Sequence, residues 1–219
     1  MMSNGPEIVY ARKSDKKYIA DVTENVVRGL MRSAGVERVT VTSTYRSPEQ
    51  QASIMYDVAV RSDLKSPGTQ KSMYKKATGD QVMQIARNDI RAIKEGIAEG
   101  FDPGKPMPFP SATKEAMAAS IDRLELEHGM GCVSRHQKLM PNLNVFDLAV
   151  SDFQPASALD TFIETLTASG FVKALGIPKG KKAFSSKHFV ESEACIHVEM
   201  SVPHQLNDGV LNPLVSRMA

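Results

Sequence analysis

The sequence predicts an α+β fold in which helices pack against a small antiparallel sheet. Three observations carry this. Apolar residues recur at helical spacing through most of the chain up to His128, short β-like runs cluster after Met130, and the opening unit is a helix followed by a strand. No internal repeat interrupts that order, so residues 1–219 are read as one domain, with 61–127 a mainly helical insertion and 203–219 a C-terminal tail.

Taken in order, Ile19, Val22, Val26, Leu30 and Met31 fall three and four apart and predict an amphipathic helix over Lys17–Ala34, with Gly35 placed to cap it. Val39 to Thr44 alternates apolar and polar residues and is β-branched, which predicts a half-buried strand. Ser47-Pro48-Glu49-Gln50 has the residues of a capping box, with proline at the first helical position, and starts a helix running to about Val60. Arg61 to Lys76 is basic and rich in Ser, Gly and Lys, as an exposed loop would be.

A second amphipathic helix is expected over Asp80–Ala98, with Val82, Ile85, Ile90, Ile93 and Ile97 as its buried stripe. Pro103, Pro106, Pro108 and Pro110 enforce an extended connection, after which Ser111 can cap a helix ending at Gly129. Strands are expected at Met130–Ser134, Val145–Val150 and Ala194–Val202, and a helix at Ala156–Ala168 closed by Gly170.

Composition limits the function classes. Lys and Arg total 27 against 25 for Asp and Glu, a net charge of +2, so there is no concentrated basic excess of the kind nucleic-acid binding uses. Function must then sit in a local site. Two cysteines are too few for a disulfide scaffold and fit a reducing compartment. The N-terminal residues lack a signal-peptide pattern, and no apolar run is long enough to span a bilayer. Synthesis in the cytoplasm without membrane insertion is the expectation.

The candidate chemistry gathers in three late segments. Ser134-Arg135-His136 ends one expected strand, Asp147 lies in the next, and Cys195, His197 and Glu199 share one face of the last, because residues two apart in a strand point the same way. Inward polar residues need partners, and a metal ion is an efficient one for two imidazoles and a carboxylate. His136, Asp147 and His197 therefore make a candidate open zinc site. Against it stands the ordinary surface or hydrogen-bonded histidine, since no HExxH pair is present.

Ser134-x-His136, the apolar-Asp-apolar run Val145-Phe146-Asp147-Leu148, and Ile196-His197-Val198-Glu199 together resemble the zinc D-alanyl-D-alanine carboxypeptidase and L-alanyl-D-glutamate endopeptidase family, which includes phage endolysins. Upstream, Thr42-Ser43-Thr44-Tyr45-Arg46-Ser47-Pro48-Glu49-Gln50-Gln51 is similar to that family's strand-Tyr-Arg-Ser segment. The resemblance implies zinc held by His136, Asp147 and His197, with Ser134 supporting the first ligand. It implies that Arg46 binds a carboxylate or carbonyl of the peptide substrate, a role for which a planar guanidinium is suited. Tyr45 and Gln50 have sufficient structural roles, in packing and capping.

The chain departs from the family pattern twice. The stretch from Gln137 to Phe146 is longer than usual, with Pro141 in it and no glycine. The family's acid position, three residues before the last histidine, is Ala194 here. Glu193, brought round by a bulge, is the first choice for general base and acid, and Glu199 ranks second.

What the resemblance implies is a zinc peptidase hydrolysing amide bonds in peptidoglycan stem peptides. It would act as a monomer at the bacterial cell wall after release from the cytoplasm, with a membrane-permeabilising holin-type partner for export. The rival is a catalytically weak or inactive phage structural or binding protein on the same fold. Lys179-Gly-Lys-Lys182 and His188 read as a solvated face that, with the cations of Arg61–Lys76, could hold an anionic wall polymer. Cys132 and Cys195 read as small core residues on adjacent strands, and His128 and His204 as surface residues.

Overall fold

A central strand that comes last in the chain organises the sheet. The computed structural model describes residues 5–60, 77–98, 110–138, 143–181, 185–191 and 194–201. Six strands, β1 (Glu7–Tyr10), β2 (Arg38–Ser43), β3 (Asn144–Ala149), β4 (Val172–Pro178), β5 (His188–Glu191) and β6 (Cys195–Met200), form one sheet in the order β1-β2-β3-β6-β4-β5. The expected α+β class is present, but the sheet is larger than expected and mixed. Its inner pairings, β2 with β3, β3 with β6 and β6 with β4, are antiparallel, whereas the edge strands β1 and β5 pair in parallel with β2 and β4.

Contacts divide the chain into two compact units, residues 1–45 with 138–219, and residues 46–137. The division falls earlier than the insertion expected at 61–127. Residue 46 opens the second unit, so the helix begun by Pro48 belongs to it.

In the first unit, α1 (Asp21–Ala34) and α5 (Ala156–Ala168) pack on one face of the sheet. Val27 and Met31 of α1 and Leu159, Phe162, Ile163 and Leu166 of α5 meet Val39, Val41, Phe146, Leu148, Leu175, Ile177, Ile196 and Val198 from the strands, all buried. Phe162 is completely enclosed and lies 5.2 Å, ring to ring, from Phe153. The expected start of α1 at Lys17 is corrected: Lys13–Tyr18 forms a 3-10 turn and the helix begins at Asp21. No side chain caps it locally, but the Ala20 amide, just ahead of the helix, donates to Asn144 Oδ1 on β3 at 3.0 Å. Its other end is closed by Gly35 at φ 67°, with the Val36 amide reaching back to Met31 O at 2.8 Å. A glycine accepts that left-handed turn without steric cost.

The second unit is helical: α2 (Pro48–Val60), α3 (Ala77–Ala98) and α4 (Pro110–His128). Ala52, Met55, Tyr56 and Ala59 pack with Val82, Met83, Ala86 and Ile90, and with Met117, Ala118, Ile121 and Leu124. The capping box at α2 forms in both directions, Ser47 N to Gln50 Oε1 at 3.0 Å and Gln50 N to Ser47 Oγ at 3.3 Å.

The strand expected at Met130–Ser134 is absent. Gly129 and Gly131 sit at φ 88° and 79°, turning the chain through positions that break extended pairing, and a 3-10 turn at Arg135–Gln137 follows. Cys132 consequently lies in a turn and not on a strand beside Cys195, which is buried on β6. The basic loop Arg61–Lys76, the proline connection through Phe109 and the tail 203–219 lie outside the described residues. No helix among the described residues is long and apolar enough to cross a membrane.

Candidate metal centre

On the sheet face opposite α1 and α5, strand register sets polar residues side by side. Asp147 of β3 lies opposite His197 of β6 and, on its other side, opposite Ser43 of β2. Between Val41 and Ser43 the register with β3 shifts by one, leaving Thr42 as an extra residue. Such a bulge re-aims the side chains beyond it. Thr42 Oγ1 donates to the Asp147 carbonyl at 3.4 Å across the irregularity.

His136 comes from the 3-10 turn Arg135–Gln137. That turn is held by its own last residue: the Ser134 amide donates to Gln137 Oε1 at 3.1 Å, and the Gln137 amide donates to Ser134 O at 3.0 Å. The Arg46 amide also donates to His136 O at 3.0 Å, so the Tyr-Arg-Ser segment and the Ser-x-His segment are joined by backbone.

His136, Asp147 and His197 are all buried, at 6, 5 and 2% exposure, and each offers a ligand atom within 4.8 Å of the others. Asp147 Oδ1 and His197 Nδ1 are 2.9 Å apart. Beyond His197, Glu199 Oε1 lies 3.7 Å from Nε2, and Lys138 Nζ binds both Glu199 oxygens at 3.2 and 3.0 Å. Burial pushes the His197 pKa down, but the hydrogen bond to Asp147 and the negative charges of Asp147 and Glu199 outweigh it and raise it above its ordinary value. The two carboxylates therefore favour the charged form of the His197 imidazole.

Two imidazoles and one carboxylate, withdrawn from water and with ligand atoms within 4.8 Å of one another, could hold a metal ion. Of the other expected site residues, Ser134, two residues before His136, and Arg46, whose amide meets His136 O, are half-buried, and Glu199 shares the face of His197 as a two-residue period requires. Glu193 lies outside the described residues. Lys138 and Gln137 escaped the sequence reading. Gln137 had a signal, since Ser134-x-x-Gln137 repeats the capping-box pattern of Ser47-x-x-Gln50; Lys138 had none.

No protein-family model matches this chain, and neither a curated protein nor a solved structure is significantly similar to it.

Proposed function

We propose that the chain is a zinc-dependent peptidase that hydrolyses amide bonds in peptidoglycan stem peptides, in the manner of a phage endolysin released at lysis. The observation that carries this reading is the buried convergence of His136, Asp147 and His197. Its support is the order of the segments around Arg46, Ser134, Asp147 and His197, which resembles the carboxypeptidase and endopeptidase family.

Zinc, when bound, supplies a Lewis acid and a water acidified towards neutrality. The chain's own residues supply the rest. Arg46 offers paired N–H donors to a carboxylate of the stem peptide and so fixes the scissile amide in place. Glu193 takes the proton of the attacking water on its carboxylate and returns it to the departing amine nitrogen. Glu199, held by Lys138, stands 3.7 Å from His197 Nε2 and adds negative charge beside that ring.

A binding or structural protein on the same fold is the second reading. It is favoured by Ala194 at the family's acid position and by the engagement of Glu199 with Lys138.

The test is metal analysis of the purified protein by mass spectrometry, with release of new amino groups from purified peptidoglycan by wild type, His136→Ala, Glu193→Gln and Glu199→Gln. Stoichiometric zinc, with cleavage lost in His136→Ala and Glu193→Gln, is the expected result. Zinc without cleavage in any form selects the binding protein. Absence of zinc, or another metal in its place, overturns the zinc reading. Activity surviving in Glu193→Gln but not Glu199→Gln moves the general base to Glu199.

A further inference from the structure

Gly176 stands in the middle of β4, between His197 on β6 and Phe189 on β5, in one lateral row of the sheet. Glycine weakens a strand interior, and there it marks a close approach of something else. A Cβ at position 176 would lie 2.7 Å from His197 Cβ and 2.8 and 2.9 Å from Cζ and Cε2 of Phe189. The space above Gly176 is thus filled from both sides. Strands two apart are separated by roughly 10 Å, beyond ordinary side-chain contact. Phe189 bridges that gap by lying over the bare backbone of Gly176, its ring edge-on to the imidazole with centroids 5.5 Å apart at 61°.

We infer that Phe189, seated on Gly176, is a positioning residue that fixes the ring orientation of His197. The inference rests on the reading of His197 as a metal ligand. An imidazole has a broad second torsion, so its backbone alone does not aim its nitrogens. Asp147 engages Nδ1 at 2.9 Å and thereby constrains one edge of the ring. Phe189 supplies a wall that a rotating ring would strike, and aromatic pairs prefer this edge-to-face contact. A metal ligand must be held to within a few tenths of an ångström and ten to twenty degrees, so about tenfold in metal affinity should depend on the ring.

The experiment uses the full-length protein, Co2+ as the probe, and the variants Phe189→Leu, Phe189→Tyr and Gly176→Ala, with urea midpoints recorded for each. Leucine keeps most of the volume but removes the ring edge, whereas tyrosine keeps it. The expected result is Co2+ affinity lowered about tenfold in Phe189→Leu and Gly176→Ala, with shifted Co2+ absorption bands, and affinity within about twofold of wild type in Phe189→Tyr. Wild-type affinity and unchanged bands in Phe189→Leu, at an unchanged urea midpoint, overturn the inference. If the wild type takes up neither Co2+ nor Zn2+, the metal reading itself fails, and the imidazole 15N–1H signals of His197 then decide. Signals that move in Phe189→Leu and hold in Phe189→Tyr support ring positioning; signals unmoved in both overturn it.

Discussion

Asp147 and His197 sit directly opposite each other on β3 and β6, Oδ1 to Nδ1 2.9 Å apart, although they are 50 residues apart in sequence. Both side chains are nearly withdrawn from water. A buried carboxylate is costly unless paired, so removing its charge changes what the pocket can hold. Asp147→Asn keeps the shape and deletes the charge. Binding of a divalent metal, followed by competition with a chromophoric chelator, is expected to weaken by roughly a hundredfold or more. His136→Ala and His197→Ala should do the same, and a chelator should strip the wild type with a fall in thermal midpoint.

Lys138 and Glu199 form a pair in which the glutamate side chain is 6% exposed and the lysine side chain 27%. Lys138→Met removes one cation from beside that carboxylate and is expected to cost about 1–3 kcal/mol, less than a fully buried pair because the lysine is partly solvated and His197 stays near. Adding Glu199→Gln should return part of that loss. Urea unfolding of both single variants and the double variant measures the coupling, and strictly additive losses would contradict it.

The two units have separate cores. Phe162→Ala empties space at the centre of the sheet-bearing unit and should cost about 3–5 kcal/mol, while Met117→Ala in the helical unit should cost about 2–5 kcal/mol. Both residues are 0% exposed. Amide hydrogen exchange on the two variants should show lost protection concentrated in the unit that carries the cavity.

Gly35 closes α1 at φ 67° with open space where a Cβ would stand. Gly35→Ala therefore meets no clash, only the left-handed strain of a residue with a Cβ, about 1 kcal/mol. Thermal unfolding should register this as a few degrees in the midpoint.

His188 Nε2 lies 2.8 Å from the hydroxyl of Thr167, whose own proton goes to Ile163 O at 2.6 Å. The hydroxyl is thus the acceptor and Nε2–H the donor. Burial, and then the charge of Lys187, hold the His188 pKa below its ordinary value. The unfolded chain then takes up the proton before the folded one does, so this contribution is intact above about pH 6.5 and is lost as the pH falls through the folded value. Urea midpoints at pH 7.5 and 5.5 should differ more for wild type than for His188→Gln.

The site was more legible in the sequence than the sheet that carries it. Period-two spacing placed His197 and Glu199 on one face, and the long helices announced themselves through stripes such as Val82 and Ile90. Glu7–Tyr10 and His188–Glu191 are four residues each, too short to show a period, and they owe their strand form to pairing with β2 and β4. Val172–Pro178 is almost wholly buried along its second half, so no alternation marks it. At Met130–Ser134 apolar content suggested a strand, but Gly129 and Gly131 take left-handed turns there. The bulge at Thr42 arises from register across the sheet and the ion pair from Lys138 joins a loop to β6, relationships between distant segments that local spacing does not encode.

The place of β6 sets the timing of assembly during synthesis. It is the last of the described strands to leave the ribosome, yet it lies inside the sheet between β3 and β4. Without Cys195–Met200 the strand order falls into two groups, β1-β2-β3 and β4-β5, which no other described strand joins. His197 arrives with that strand, so Asp147 gains its partner across the sheet only when the last described strand has been made.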